Sequence, residues 1–262
     1  MKRESTLEDR RREMLELVRT HGFVSIDHLA HRFSLTPQTI RRDINSLCEM
    51  GLLQRCHGGA AIHSSVQNMA YSTRQVLYLQ EKRDIARSVA ASIPDRASLF
   101  INIGTTTEEV ARALLHHSGL RVITNNLNVA IIMSANEDFE VMVTGGEVRN
   151  VDRGITGEGA IDFIKQFKVD FGIIGISGID MDGSLLDFDY REVRAARAII
   201  ESSRKTYLAA DRSKFGRSAM VRLGHVRDID ALFTDAPPPE PLQEILRANE
   251  VQLHIASPAS GS

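Results

Sequence analysis

The chain has 262 residues, 42% hydrophobic and 25% charged, which excludes wholesale disorder and leaves room for one small and one large domain. No apolar run reaches the about 18 residues of a membrane span, and the charged stretch from Met1 to Met14 has no apolar secretory core, so a cytoplasmic chain is expected. Residues 1–60 carry 10 Lys/Arg against 8 Asp/Glu and the remainder 22 against 26, an asymmetry that permits nucleic-acid contact without establishing it.

Taken in order, the first sixty residues read as three helices and a hairpin. Met14, Leu15, Leu17 and Val18 form an apolar stripe at helical spacing, ended by His21 and Gly22. Ser25 is placed to cap a short helix over Ile26–Arg32, and Phe33, Ser34 and Leu35 make a turn. Thr36 followed by Pro37 starts a third helix that runs to Met50 and stops at Gly51. Leu52–Arg55, a Gly58-Gly59 turn and Ala60–Ile62 then read as a hairpin. This is the order of a winged helix-turn-helix.

On the third helix, Ile40, Ile44 and Leu47 share one narrow sector, while Gln38, Arg42, Asn45 and Glu49 face the other way with Thr39 and Arg41 on the flanks. An exposed face that begins Gln, Thr, Arg suits a helix reading base edges: Gln pairs bidentately with adenine and Arg with guanine. Arg42 is assigned to the groove floor and Arg41 to a phosphate. With Thr36, and with Arg55 and His57 in the wing, these are the candidate contacts to double-stranded DNA. The same polar face also suits a solvated three-helix scaffold.

Residues 63–80 read as a linker, turning partly helical towards Gln80. Beyond it apolar runs recur, each closed by small polar residues: Ser98–Ile103, Arg121–Ile123, Glu140–Val143, Val169–Ile174, Thr206–Ala209 and Ala231–Phe233. Helical stretches over 82–93, 107–117, 126–135, 191–204 and 240–248 alternate with them, the pattern of a mainly parallel sheet covered on both faces. The expected domains are therefore 1–62, a linker over 63–80, an α/β domain over 81–256 and a frayed tail over 257–262.

Gly104, Thr105, Thr106 and Thr107 lie between a strand and a helix, where backbone amides and hydroxyls form an anion cradle. The same residues also suit an ordinary capped turn. Neither a Walker loop nor a dinucleotide fingerprint is present, which disfavours nucleotides. Asn125, Asn126, Gly145, Gly146, Ser177 and Lys214 all follow strands, so they converge at the edge where ligands bind in such folds. Lys214 is a point charge for a phosphate, or a solvated lysine. Arg149, Asp152 and Arg153 read as a lid or as an exposed mixed-charge loop. The two cysteines, Cys48 and Cys56, are too few for a disulfide framework or a zinc site, and neither metal nor cofactor is expected.

The run from Val24 to Asp43, with Thr39-Ile-Arg-Arg-Asp at its core, and the wing His57-Gly-Gly-Ala resemble the DNA-binding signature of the DeoR family of bacterial repressors. The likeness extends from residue 14 to about 254 through Leu99–Thr106, Asn125–Ala130, Phe171–Asp180, Gly183-Ser-Leu-Leu, Phe188-Asp-Tyr, Ser213-Lys-Phe-Gly-Arg and Thr234-Asp-Ala-Pro-Pro-Pro. The resemblance implies a homo-oligomer, usually a tetramer, released from operator DNA by a phosphorylated sugar or polyol. Among family members the second domain is most similar to those that answer to glycerol 3-phosphate, which is the expected inducer, with another phosphosugar as the alternative.

The second domain also resembles the fold of ribose-5-phosphate isomerase and the CoA transferases, which raises an enzyme with a DNA-binding head as a rival. The isomerase pattern has an Asp-Gly-Ala-Asp stretch, a lysine in the following loop and a later Glu. Here Ser177 stands at the first Asp, the loop Asp182–Tyr190 has no lysine, and Glu192 remains. Proton shuttling needs a tuned base and an electrophilic partner. The expectation is accordingly no enzyme, with Asp180 and Glu192 as ligands for polyol hydroxyls.

Overall fold

The computed structural model describes residues 7–21, 23–50, 52–56, 58–61 and 68–257, without the side chains of Arg19 and Thr20. The chain divides into two compact units between Leu77 and Tyr78.

The first unit holds α1 (Leu7–His21), β1 (Phe23–Ser25), α2 (Ile26–Phe33), α3 (Pro37–Glu49), β2 (Gln54–Cys56), β3 (Gly59–Ala61) and α4 (Tyr71–Val76). Ser25 caps α2 by accepting from the His28 amide at 3.1 Å, and Ser34 closes it in the left-handed region at φ 55°. Met14, Val18, Leu29, Ile40, Ile44, Leu47 and Leu53 form the buried core, each Leu or Ile contributing about 1.5–3 kcal/mol. The wing has a third strand that alternation did not reveal, because β1 is only three residues long. The sheet order is β1-β3-β2, with Val24 and Arg55 both opposite Ala60. Gly59 is required there: a Cβ would lie 2.3 Å from the Val24 carbonyl oxygen. Gly51, His57 and Ile62 lie outside the described residues, as does 63–67 of the expected linker, whose remainder includes α4.

The second unit holds α5 (Leu79–Ala91), β4 (Ser98–Ile101), α6 (Thr105–Ala113), β5 (Arg121–Thr124), α7 (Leu127–Met133), β6 (Glu140–Val143), β7 (Glu147–Val148), β8 (Ile155–Thr156) and α8 (Glu158–Ile164). There follow β9 (Val169–Ile174), β10 (Gly178–Ile179), β11 (Ser184–Asp187), α9 (Tyr190–Glu201), β12 (Ser203–Ala209), β13 (Val221–His225), β14 (Ala231–Thr234), α10 (Glu240–Ala248) and β15 (Gln252–Ile255). Seven strands form one sheet in the order β15-β14-β12-β9-β4-β5-β6, with every neighbouring pair parallel. Strand alternation sends Phe100, Ile123 and Leu208 into a core beneath α8 and α9, and Leu99, Ile101, Val122 and Phe233 into one beneath α5 and α6. From β4 the chain first adds β5 and β6 on one side, then returns to place β9 on the other. The order reverses between β4 and β9, and ligands in open α/β sheets bind at the carboxyl end of such a switch point.

Candidate nucleic-acid interface and effector site

In the head, Thr36 is a helix cap: its Oγ1 accepts from the Thr39 amide at 3.3 Å and lies 3.0 Å from the Thr39 hydroxyl. Gln38, Arg41 and Arg42 are exposed, and Thr39 and Asn45 half-exposed, with Ile40, Ile44 and Leu47 buried behind them. Arg55 is exposed on β2, whereas His57 lies outside the described residues. Asp43 was not singled out by spacing, yet it is buried, accepting from Arg10 Nε at 2.9 Å and Arg11 Nε at 3.4 Å. These bonds anchor α3 to α1 behind the polar face.

In the second unit, Gly104 opens α6 at φ +152°, a conformation that L side chains rarely adopt. The first amides of α6, on Thr105 and Thr106, have no intrahelical acceptor by position, and the helix dipole adds a partial positive charge there. Thr107 serves the turn itself, its hydroxyl engaged with the carbonyls of Asn102 at 2.7 Å and Gly104 at 2.8 Å. Asn126 is likewise structural: it caps α7 by accepting from the Asn128 amide at 2.9 Å and donates to buried Glu108 at 3.2 Å. Asn125 donates its amide to the Ile155 carbonyl at 3.2 Å. Gly145 and Gly146 are exposed after β6, and a Cβ on Gly146 would lie 2.5 Å from the Thr156 carbonyl oxygen.

Ser177 follows β9 and donates to Asp187 at 2.9 Å. Asp180 follows Ile179, which forms a bridge with Phe215 next to Lys214. It is exposed in the turn between β10 and β11, on the separate β10-β11-β13 sheet, and accepts from the Met181 amide at 2.8 Å. Glu192 is half-buried at the first turn of α9, ion-paired to Arg149. Arg149 is nearly buried, donating to Asp189 at 2.8 Å and pairing with buried Asp152, so the expected lid is pinned at both residues. Only Arg153 of the three is exposed. Burial and the nearby Asp187 outweigh the pull of Arg149 and push the Glu192 carboxyl up to about 7. Although burial opposes its charge, Glu192 and Asp152 hold the Arg149 guanidinium above its ordinary pKa.

Lys214 follows β12 in a short 3₁₀ turn, nearly buried, with Nζ 3.9 Å from Asp211 Oδ2. Burial alone would raise the Asp211 carboxyl, but Lys214, the Ser213 hydroxyl and Lys82 hold it below the usual carboxylate range. Lys82, on α5, is only 2% exposed. Sequence reasoning passed over it because one lysine in an amphipathic helix reads as solvated. Arg217 was also missed: it donates to the Ser177 carbonyl at 3.3 Å and stacks 5.1 Å over the Phe188 ring.

Seven buried side-chain N or O atoms among the described residues have no hydrogen-bond partner. Six belong to residues that end a strand or follow one within two positions: Asn102, Asn125, Thr144, Thr156, Asp211 and Thr234. Among the described residues no group of His, Cys, Asp and Glu is arranged to hold a metal, and no helix is long and apolar enough to cross a membrane.

A helix-turn-helix head with an exposed polar helix face, followed by a parallel α/β domain with polar strand ends, has the build of a DNA-binding regulator. The DeoR-like helix-turn-helix domain matches residues 10–66, and the DeoR C terminal sensor domain matches 78–236. The chain belongs to the DeoR family of DNA-binding transcriptional repressors. It is 54% identical over 242 residues to the glycerol-3-phosphate regulon repressor of Escherichia coli strain K12, covering 92% of this chain and 96% of that one. It is 50% identical over 248 residues to the protein of the same name from Haemophilus influenzae, covering 95% and 96%. The HTH-type transcriptional repressor CsqR of Escherichia coli is 42% identical over 250 residues, with coverage of 95% and 96%. Among solved structures, ribose 5-phosphate isomerase A from Neisseria gonorrhoeae is 13% identical over 51% of this chain and 52% of that one, at a TM-score of 0.38, too slight a likeness to bear on chemistry.

Proposed function

We propose that the protein is a cytoplasmic homotetrameric repressor whose sensor domain binds glycerol 3-phosphate and thereby loosens its heads from operator DNA. The observation that carries this reading is the reversal of strand order between β4 and β9, at whose carboxyl end Gly104, Thr105 and Thr106 begin α6. Backbone amides at such a place hold a phosphate dianion without any catalytic apparatus. Lys214, with Lys82 beside the same Asp211, supplies the counter-charge. Similarity to the two glycerol-3-phosphate regulon repressors supports the choice of ester.

We assign the site to binding rather than turnover. Isomerisation needs a base and an electrophile at adjacent carbons. Ser177 stands where the isomerase pattern has an acid, Glu192 is tied to Arg149, and glycerol 3-phosphate has no carbonyl to rearrange. Thermal unfolding of the full chain against a panel of phosphate esters tests the reading. Glycerol 3-phosphate at a hundred times its Kd is expected to stabilise the sensor by about 2.7 kcal/mol. No shift with any ester would refute it.

A further inference from the structure

Extending the sheet register by one residue brings three side chains together. Ile101 lies opposite Thr124, and Thr124 opposite Val143. The next residues along these parallel strands are Asn102, Asn125 and Thr144, and the Thr144 amide still bonds the Thr124 carbonyl at 3.0 Å. Alternation puts all three on the side of Phe100, Ile123 and Met142, the face covered by α8 and α9. Thr156 joins them through a two-way tie: the Ile155 amide donates to the Asn125 carbonyl at 2.7 Å, and the Asn125 side-chain amide donates to the Ile155 carbonyl at 3.2 Å.

All four residues are 5% exposed or less, and each has a side-chain oxygen without a hydrogen-bond partner: Asn102 Oδ1, Asn125 Oδ1, Thr144 Oγ1 and Thr156 Oγ1. Isolated exceptions of this kind occur in folded proteins, but four at neighbouring strand ends, one of them two residues before Gly104, form a coherent set. The bond from Asn125 to Ile155 fixes its amide so that the oxygen is the unpartnered atom. Amide oxygens accept and do not donate, whereas threonine hydroxyls do either. A complementary ligand therefore brings hydrogen-bond donors to this place, as the hydroxyls of a polyol do.

We infer that Asn102, Asn125, Thr144 and Thr156 form the part of the effector site that reads ligand hydroxyls, next to the phosphate cradle at Gly104–Thr106. Of the four, only Asn125 is suggested by the strand-end pattern of the sequence. The assignment rests on the sensor reading above and adds to it: the cradle selects a phosphate ester, and this wall selects a polyol.

The test is calorimetric titration of the full chain and of Thr144→Val and Thr156→Val with two probes, glycerol 3-phosphate and n-propyl phosphate, which lacks both hydroxyls. Valine preserves shape and removes the hydroxyl. The unsubstituted protein is expected to prefer glycerol 3-phosphate, and each substitution to reduce that preference about three- to tenfold while leaving n-propyl phosphate binding unchanged. Thermal unfolding of the variants without ligand should be unchanged or shifted upward, since a buried unpartnered hydroxyl is lost. Each variant is tested singly, so misfolding of one leaves the other decisive. An unaltered preference in a folded variant, or equal loss for both probes, would overturn the inference and leave the sensor reading standing. Failure of the unsubstituted protein to bind either ester would overturn both.

Discussion

Arg149 and Glu192 form an ion pair that ties the turn after β7 to the first turn of α9. Arg149 also engages Asp152 and Asp189, so one guanidinium serves three carboxylates. Through Asp152, whose carbonyl accepts from Asn128 at 3.4 Å, the tie reaches Glu108 on α6, to which Asn128 donates at 3.1 Å. The elements around the switch point are thus held by one connected polar network.

Replacing Arg149 by methionine removes the cation shared by Asp152, Asp189 and Glu192 and breaks a nearly buried ion pair. Loss of one partner of a buried pair costs about 3–5 kcal/mol. Chemical denaturation followed in the sensor unit should show a destabilisation of that order.

Glu192 gives a pH dependence whose sign follows from its environment. Its folded carboxyl titrates near 7, above the ordinary 4.5. Between those values the folded state keeps a proton that the unfolded chain releases. Stability from this group is complete below about pH 4.5 and is lost as pH rises through 7, with an upper bound of about 3 kcal/mol. Stability measured from pH 5 to 8 should slope downward in the unsubstituted protein, and Glu192→Gln should flatten the slope.

In the head, Asp43→Asn removes the charge that holds Arg10 and Arg11. The amide keeps one acceptor oxygen, so one arginine bond is weakened and the other is lost to an NH2 that cannot accept, and a destabilisation of about 1–3 kcal/mol is expected in the head's unfolding transition.

The exposed face of α3 separates two kinds of contact. Arg42→Ala is expected to abolish the preference for operator over random DNA. Arg41→Ala is expected to weaken both about equally and to lower the salt dependence by about one phosphate contact. Filter binding or anisotropy across a salt series distinguishes the two outcomes.

The head was legible in the sequence because its signals are local. A hydroxyl cap before Pro37 and the spacing of Ile40, Ile44 and Leu47 specify α3 without reference to anything distant. The parallel sheet was also legible, since each buried strand is an apolar run ended by small polar residues. What could not be read depends on register and tertiary pairing. Asp43 and Lys82 look solvated in one dimension yet are buried, and Arg149 is nearly so, paired in part with carboxylates from distant positions. Asn102, Thr144 and Thr156 became a group only when the alignment of β4, β5 and β6 was known. Asp180, suggested by the isomerase resemblance, lies in a turn of a separate small sheet whose existence the sequence pattern did not reveal.

Operator affinity with and without glycerol 3-phosphate tests the central claim most directly, using the full chain and its Lys214→Ala variant on the same DNA fragment. A coupling of about 1–3 kcal/mol should weaken the unsubstituted protein's grip roughly 5- to 150-fold when the ester is saturating. Lys214→Ala should hold DNA as tightly as the unsubstituted protein and respond little. Equal DNA affinity in the presence and absence of the ester would contradict the claim.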